Sequence, residues 1–208
     1  MFTITNILIG INLIVSLLCF NNPALFNKLK HHPYSVERHK AYYRLLTSGF
    51  IHADFLHLGV NMFVLWQFGN VIEEIYMSIF GVTLGKAYYL LLYLGGVVVA
   101  NLPNFLAHRN NAYFSSVGAS GATSAILFAF ILFNPWQLLY FFGIVPIPCI
   151  IFGVAYLAYS SYSSNNSNDN IDHVAHFYGA VFGVLLTIGL KPSIIPAFLN
   201  ELMSGLPF

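Results

Sequence analysis

The chain has 208 residues, of which 58% are hydrophobic and only 7% charged, and its formal net charge is +1. A soluble domain carries about a quarter charged residues, so this balance excludes an ordinary water-soluble fold; a net charge so near zero gives no basic footprint, and no nucleic-acid partner is expected. The mean hydropathy of +0.72 and the 20 Phe and 13 Tyr describe a protein that lives in a lipid bilayer.

Apolar runs separated by polar or Gly/Pro punctuation predict an all-α membrane protein, a single domain over 1–208, with six spans at 3–20, 55–75, 84–103, 116–133, 137–156 and 171–190. Each is about 17–22 residues, the length a helix needs to cross a bilayer. The first span has no basic leader and no small-residue cleavage site, so it reads as a retained helix, and no transit peptide is visible. A long loop, 21–54, follows it and holds Lys28, Lys30, Arg38, Lys40 and Arg44, more than half of the eight basic residues. The Ser/Asn tract at 160–170 has too little apolar surface to pack and reads as a polar loop. Cys19 and Cys149 fall in apolar spans and read as small buried hydrophobes.

Polar residues inside spans are expensive in lipid, and each starts as a site hypothesis. His57 and Asn61 open the second span, Ser120 the fourth and His176 the sixth, each within about two turns of its start. Even-numbered spans run in the same direction, so these four residues share one side of the membrane and one depth. Ser120, in Gly118-Ala119-Ser120-Gly121, supplies a hydroxyl, and His176 a base able to take its proton, which is the minimum for serine nucleophilic catalysis. His57 and Asn61 are four apart and stack on one helix face, where their N–H groups suit an oxyanion. Gly121, Ala122, Ser124 and Ala125, with Gly179-x-x-x-Gly183 in the sixth span, make small faces that let two helices approach closely. Alone, each element has a plainer reading: a serine in a small-residue helix packs, a His-x-x-x-Asn pair clamps helices, and a buried histidine is hydrogen-bonded. Their coincidence at one depth carries the hypothesis.

These residues resemble the rhomboid family of intramembrane serine proteases in its minimal six-helix form. The matching pieces are Tyr43-Arg44 through Gly49-Phe50-Ile51-His52, His57-Leu58-Gly59-Val60-Asn61, Gly69-x-x-x-Glu73, Gly118-Ala119-Ser120-Gly121 and Ala175-His176-x-x-Gly179. The resemblance implies a six-transmembrane-helix bundle with a long loop between helices 1 and 2, Ser120 as nucleophile and His176 as general base and acid. His57, Asn61 and the backbone N–H of Ser120 would line the oxyanion hole. It also implies a water-filled cavity closed by a cap loop, matched to 160–170, and lateral entry of membrane-protein substrates between helices 2 and 5. Neither cofactor nor metal is expected. Arg44 and Glu73 are expected to tie loops to helices, His52 to anchor a loop, and His173 to serve structure or line the cavity.

The chain departs from the family at three points. Tyr43 stands where Trp is common. Ser124 stands four residues after the nucleophile, where many members carry an aromatic that packs on the catalytic histidine; Phe177, Tyr178 or Phe128 could substitute, or Ser124 could bond the imidazole. The side bearing the site holds six basic residues against two opposite, which turns the site toward the cytoplasm by the positive-inside rule; the resemblance implies the opposite orientation, and it takes precedence because five of the six lie in the long loop, which the resemblance implies is a folded, surface-lying element. Asp172 is expected to cap the sixth helix, leaving a Ser-His dyad. No His-Glu-x-x-His or pair of intramembrane aspartates supports another protease class. The alternatives are an inactive rhomboid-like protein that binds transmembrane helices, and a small transporter or channel. The bare six-helix form points to a bacterial inner membrane.

Overall fold

The computed structural model describes residues 3–141, 144–166 and 171–205. It is mostly helical, with α1 (Ile4–Phe20), α5 (Phe55–Val64), α6 (Asn70–Phe80), α7 (Val82–His108), α8 (Ser120–Phe133), α9 (Cys149–Asn166), α10 (His173–Leu190) and α11 (Ile194–Ser204) as its larger helices. A π-helical turn, Leu65–Gly69, joins α5 and α6 into one rod, Phe55–Phe80. This rod, α7 and α10 are the helices long and apolar enough to cross a membrane, while α1, α8 and α11 are shorter apolar helices.

α8 is the centre of the molecule. Every residue from Gly121 to Leu132 is buried, which is why this helix is apolar on all sides: it has no lipid-facing or solvent-facing stripe. Its 14 residues extend only about 21 Å, well short of the roughly 30 Å hydrocarbon layer.

Segment 21–54 is folded rather than irregular. It forms three short helices, α2 (Pro23–Leu29), α3 (Pro33–His39) and α4 (Arg44–Thr47), and a 3-10 turn, Ser48–Phe50. Pro23 and Pro33 sit at helix starts, where the missing N–H costs nothing. Arg44 donates to the carbonyls of Asn27 at 2.8 Å and Lys30 at 3.0 Å, and Thr47 Oγ1 donates to Leu29 O, closing the segment on itself.

The fifth predicted span is displaced. Residues 137–148 do not begin a helix: Leu138–Phe141 (β1) and Val145–Pro148 (β2) form an antiparallel hairpin with Leu138 opposite Pro148 and Tyr140 opposite Pro146. Pro146 and Pro148 lack the N–H that a helix needs, and β-branched Ile144 and Val145 favour extended backbone. Helix α9 starts at Cys149 and runs through most of the Ser/Asn tract, ending at Asn166. Ser164 Oγ and Asn166 Nδ2 donate to the carbonyls of Ser161 and Tyr162, back-bonding that satisfies polar side chains on the helix itself, and Ser160 and Ser163 are buried. The polar-loop reading is therefore corrected for 160–166; residues 167–170 lie outside the described residues. Cys19 and Cys149 are buried thiols.

Candidate active site

Ser120 is the first residue of α8, His57 the third of α5 and His176 the fourth of α10. All three stand at helix N-termini, and with Asn61, Thr123 and Tyr156 they line one cavity of about 980 Å³. Residues scattered over separate helices thus share a single chamber.

Glycines set how closely α8 and α10 approach. A Cβ at Gly179 would collide with the carbonyl of Gly121, and one at Gly183 with the carbonyl of Ala125. Helix α7 closes in as well: a Cβ at Gly121 would strike Ala100, and one at Gly96 would lie 3.0 Å from Ala122 Cα. Without side chains in the seam, the backbones carrying Ser120 and His176 come into direct contact.

The turn before Ser120 is held from the folded 21–54 segment. His31 and Ser116 exchange backbone hydrogen bonds of 3.0 Å in both directions, and His31 Nδ1 lies 3.2 Å from Ser116 Oγ. Gly118 N–H donates to Ser48 O at 2.9 Å. Ala119 N–H donates to His52 Nε2 at 3.4 Å, and the opposite ring nitrogen of His52 lies 2.9 Å from Ser16 Oγ, whose hydroxyl reaches Phe50 O. An accepting Nε2 puts the His52 proton on Nδ1, facing Ser16. Burial pushes the His52 imidazole down to about 3, with the neighbouring His57 adding to the effect. His31 falls to about 4 by burial, partly opposed by Asp172. Both rings are fully enclosed and act as neutral hydrogen-bonding struts.

Gly118 adopts a φ of +122°, and a Cβ there would lie 2.6 Å from His57 Cε1. Glycine is therefore needed twice, for its backbone and for the imidazole that rests on it. The His57 ring meets His52 edge-on at 5.1 Å. Asp54 caps α5 by accepting from His57 N–H at 2.8 Å. Asn61 donates through Nδ2 to His57 O at 2.9 Å and accepts from Thr123 Oγ1 at 3.2 Å. Its amide carries a second N–H.

Tyr156 on α9 stacks on His176, with ring centroids 5.8 Å apart and planes 17° apart. Its hydroxyl lies 2.6 Å from Ser124 Oγ. The side chain at 124 thus meets a tyrosine of α9, whereas the sequence points to Phe177, Tyr178 or Phe128 as the substitutes, or to a bond from Ser124 to the imidazole. His173 is buried and meets His176 edge-on at 6.0 Å and Tyr159 at 5.2 Å. Asp172 caps α10 by accepting from Ala175 N–H, and both its oxygens accept from Asn104 Nδ2, at 2.7 and 2.8 Å.

Glu73 lies away from the cavity. Fully buried, it accepts from the N–H groups of Ile4 and Thr5 and from the Thr5 hydroxyl, each at 2.8 Å, so a carboxylate of α6 caps the start of α1. Among the described residues no group of three or more His, Cys, Asp or Glu converges on a point that a metal could occupy.

His31, Ser48, Ser116 and Tyr156 were missed in the sequence. The first three act through backbone or short polar contacts with no spacing signature, and Tyr156 looked like one more aromatic in an apolar run.

Comparison with known proteins agrees with this architecture. The family model described as Rhomboid domain matches residues 39–193. Presenilin-associated rhomboid-like protein A, mitochondrial, of Danio rerio is 31% identical over 146 residues, covering 67% of this chain and 35% of that protein. The Homo sapiens presenilin-associated rhomboid-like protein, mitochondrial, is 33% identical over 86 residues, 41% of this chain and 21% of its own length. Rhomboid-like protein 11, chloroplastic, of Arabidopsis thaliana is 42% identical over 82 residues, 39% of this chain and 26% of its own length. The chain thus spans between a fifth and about a third of the length of these relatives. They carry mitochondrial and chloroplastic names, which overturns the expectation of a bacterial inner membrane and points to organellar membranes. A small helix count was a poor guide to compartment, because helices obey the same packing rules in any bilayer. With the match running from the loop before the second span to the end of the sixth, the chain belongs to the rhomboid family.

Proposed function

We propose that this rhomboid is an intramembrane serine endopeptidase that cuts transmembrane segments of other membrane proteins in an organellar membrane, using a Ser120–His176 dyad within a six-helix bundle. The observation that carries this reading is the glycine seam that brings the N-terminal ends of α8 and α10 together at one cavity lined by Ser120, His176, His57 and Asn61.

In the mechanism, His176 takes the proton of Ser120 as Oγ attacks the scissile carbonyl. Negative charge then develops on the carbonyl oxygen at the N-terminus of α8, where first-turn N–H groups lack intrahelical acceptors and the helix dipole is positive. The Ser120 N–H, the second N–H of Asn61 and the His57 ring are the donors for it; one such donor is worth about 3–4 kcal/mol. His176 next protonates the leaving amine, and the same base then draws a proton from the water that hydrolyses the acyl-enzyme. Water is the second substrate. The shortness of α8 sets Ser120 below the level that a full-length span would reach, and the cavity above it, with Asp172 and Asn104 among its lining residues, admits water to that depth. Because a helical peptide carbonyl is already hydrogen-bonded, substrates with Gly or Pro near the cut, which unwind easily, are favoured.

The test is cleavage of a transmembrane reporter by the purified protein in detergent. Wild type cleaves, and Ser120→Ala and His176→Ala are reduced at least about a thousandfold. Equal cleavage by all three removes the dyad, and a folded wild type that binds the reporter without cutting it turns the reading toward an inactive rhomboid-like binder.

A further inference from the structure

We propose that Tyr156 is a positioning residue for the His176 imidazole, so that orientation of the catalytic base is supplied by α9 and not by the helix that carries the nucleophile. This inference rests on the serine-protease reading and deepens it.

A neutral imidazole acts as a base only if one ring nitrogen faces the serine hydroxyl, and a ring free to turn about its side-chain torsions spends little time so aligned. Tyr156 lies nearly parallel to His176, 5.8 Å between centroids and 17° between planes, an offset stack that opposes rotation of the imidazole plane. The tyrosine is itself held. Its hydroxyl is 2.6 Å from Ser124 Oγ, and its ring contacts Phe128 of α8 at 5.8 Å and Phe152 of α9 at 5.9 Å. Ser124 lies one turn beyond Ser120 and so on the same face of α8. The chain of contacts therefore runs from α8 through the Ser124 hydroxyl to the Tyr156 ring and on to His176, and it closes only when α9 is docked.

The geometry also defines a relocation. Because the Ser124 and Tyr156 oxygens are in contact, a tyrosine ring grown from position 124 enters the volume that Tyr156 occupies. The experiment compares wild type, Tyr156→Phe, Tyr156→Leu, Tyr156→Ala and the double variant Tyr156→Ala/Ser124→Tyr. It measures kcat and KM on the transmembrane reporter and the rate at which a fluorophosphonate labels Ser120. In that labelling the serine oxygen bonds phosphorus, fluoride departs and His176 takes the proton, with no transmembrane substrate to admit.

Tyr156→Leu, which keeps apolar volume and loses the ring, is expected to lower kcat and labelling alike by about 10- to 100-fold with KM within about twofold. Tyr156→Phe retains the ring and loses only a few-fold, about the effect of one hydrogen bond. The double variant recovers at least about tenfold over Tyr156→Ala by restoring the alignment. Equal rates for the Phe and Leu variants overturn the proposal, as does a loss confined to KM. If the double variant does not fold, the Phe and Leu pair decides alone. A wild type that neither cleaves nor labels at Ser120 overturns the serine-protease reading itself; a wild type that labels, with Tyr156→Leu labelling equally fast, overturns only the positioning role.

Discussion

Helix α8 meets its two neighbours at the site in opposite ways. Against α10 the contact is backbone on backbone: added methyls at Gly179 and Gly183 would run into the main chain of Gly121 and Ala125. Against α9 the contact is side chain on side chain. A Cβ at Gly153 would meet Ile131 Cδ1 at 2.7 Å and Phe128 Cε1 at 3.5 Å, the far ends of mobile groups, and Tyr156 bridges Ser124 and His176. The first seam sets the separation of Ser120 and His176 and has no means of adjusting. The second sets the orientation of a ring and can repack. Precision in distance is assigned to glycine and main chain, and precision in angle to a stacked aromatic.

The largest effect is expected at Gly179. Gly179→Ala forces α10 away from α8 and should cost about 3 kcal/mol of stability, with loss of reporter cleavage; thermal unfolding in detergent and kcat measure both. A smaller loss is expected for Gly118→Ala, which places a side chain at a φ of +122° and against His57. About 2 kcal/mol of strain should accompany a fall in kcat greater than the fall in stability explains, since His57 must move.

Next comes pH. His31 and His52 are outside the spans, and burial lowers them to about 4 and about 3. Both are neutral when folded, whereas in the unfolded chain they bind protons below about 6.5. Their contribution is complete above that value and is lost as pH falls from about 6.5 toward 4, by at most about 1.4 kcal/mol per pH unit for each histidine. Melting temperatures taken from pH 7.5 down to 5 should fall, and His31→Asn should flatten the slope. A pH-independent melting temperature would show that these rings are not buried neutral struts. The smallest effect is expected for Gly153→Ala, where Ile131 and Phe128 turn aside: less than about 1 kcal/mol, with activity retained. Should Gly153→Ala prove as damaging as Gly179→Ala, the contrast between the seams fails.

The two seams also differ in how far they could be read in advance. Gly179-x-x-x-Gly183 and the small residues after Ser120 are a local pattern with a direct packing meaning, and the glycine contacts follow that pattern. Nothing local marks Tyr156. Of the stretch read from hydropathy as the fifth span, 137–156, only the part from Cys149 onward is helical, because hydropathy does not separate an apolar hairpin from an apolar helix and Pro146 and Pro148 exclude the helix. With the start misplaced, no facing could be assigned to Tyr156.

The struts behind Ser120 were equally hidden. His52 and Ala119 are 67 residues apart, and His31 and Ser116 are 85 apart. Pairs so remote leave no periodicity to detect, and their partners are backbone groups common to every residue or single serine hydroxyls.

What the sequence by itself determined was set by the bilayer and by local geometry. Apolar runs must span or be buried, helices of equal parity run in the same direction, and polar residues at their starts share a depth. Those constraints put Ser120, His176, His57 and Asn61 on one side without any coordinates. Only the tertiary structure decided which groups hold them there: the folded 21–54 segment beneath Ser120, and the α9 tyrosine against His176. Those contacts depend on how distant surfaces meet, and this emerges only when all the helices are packed at once.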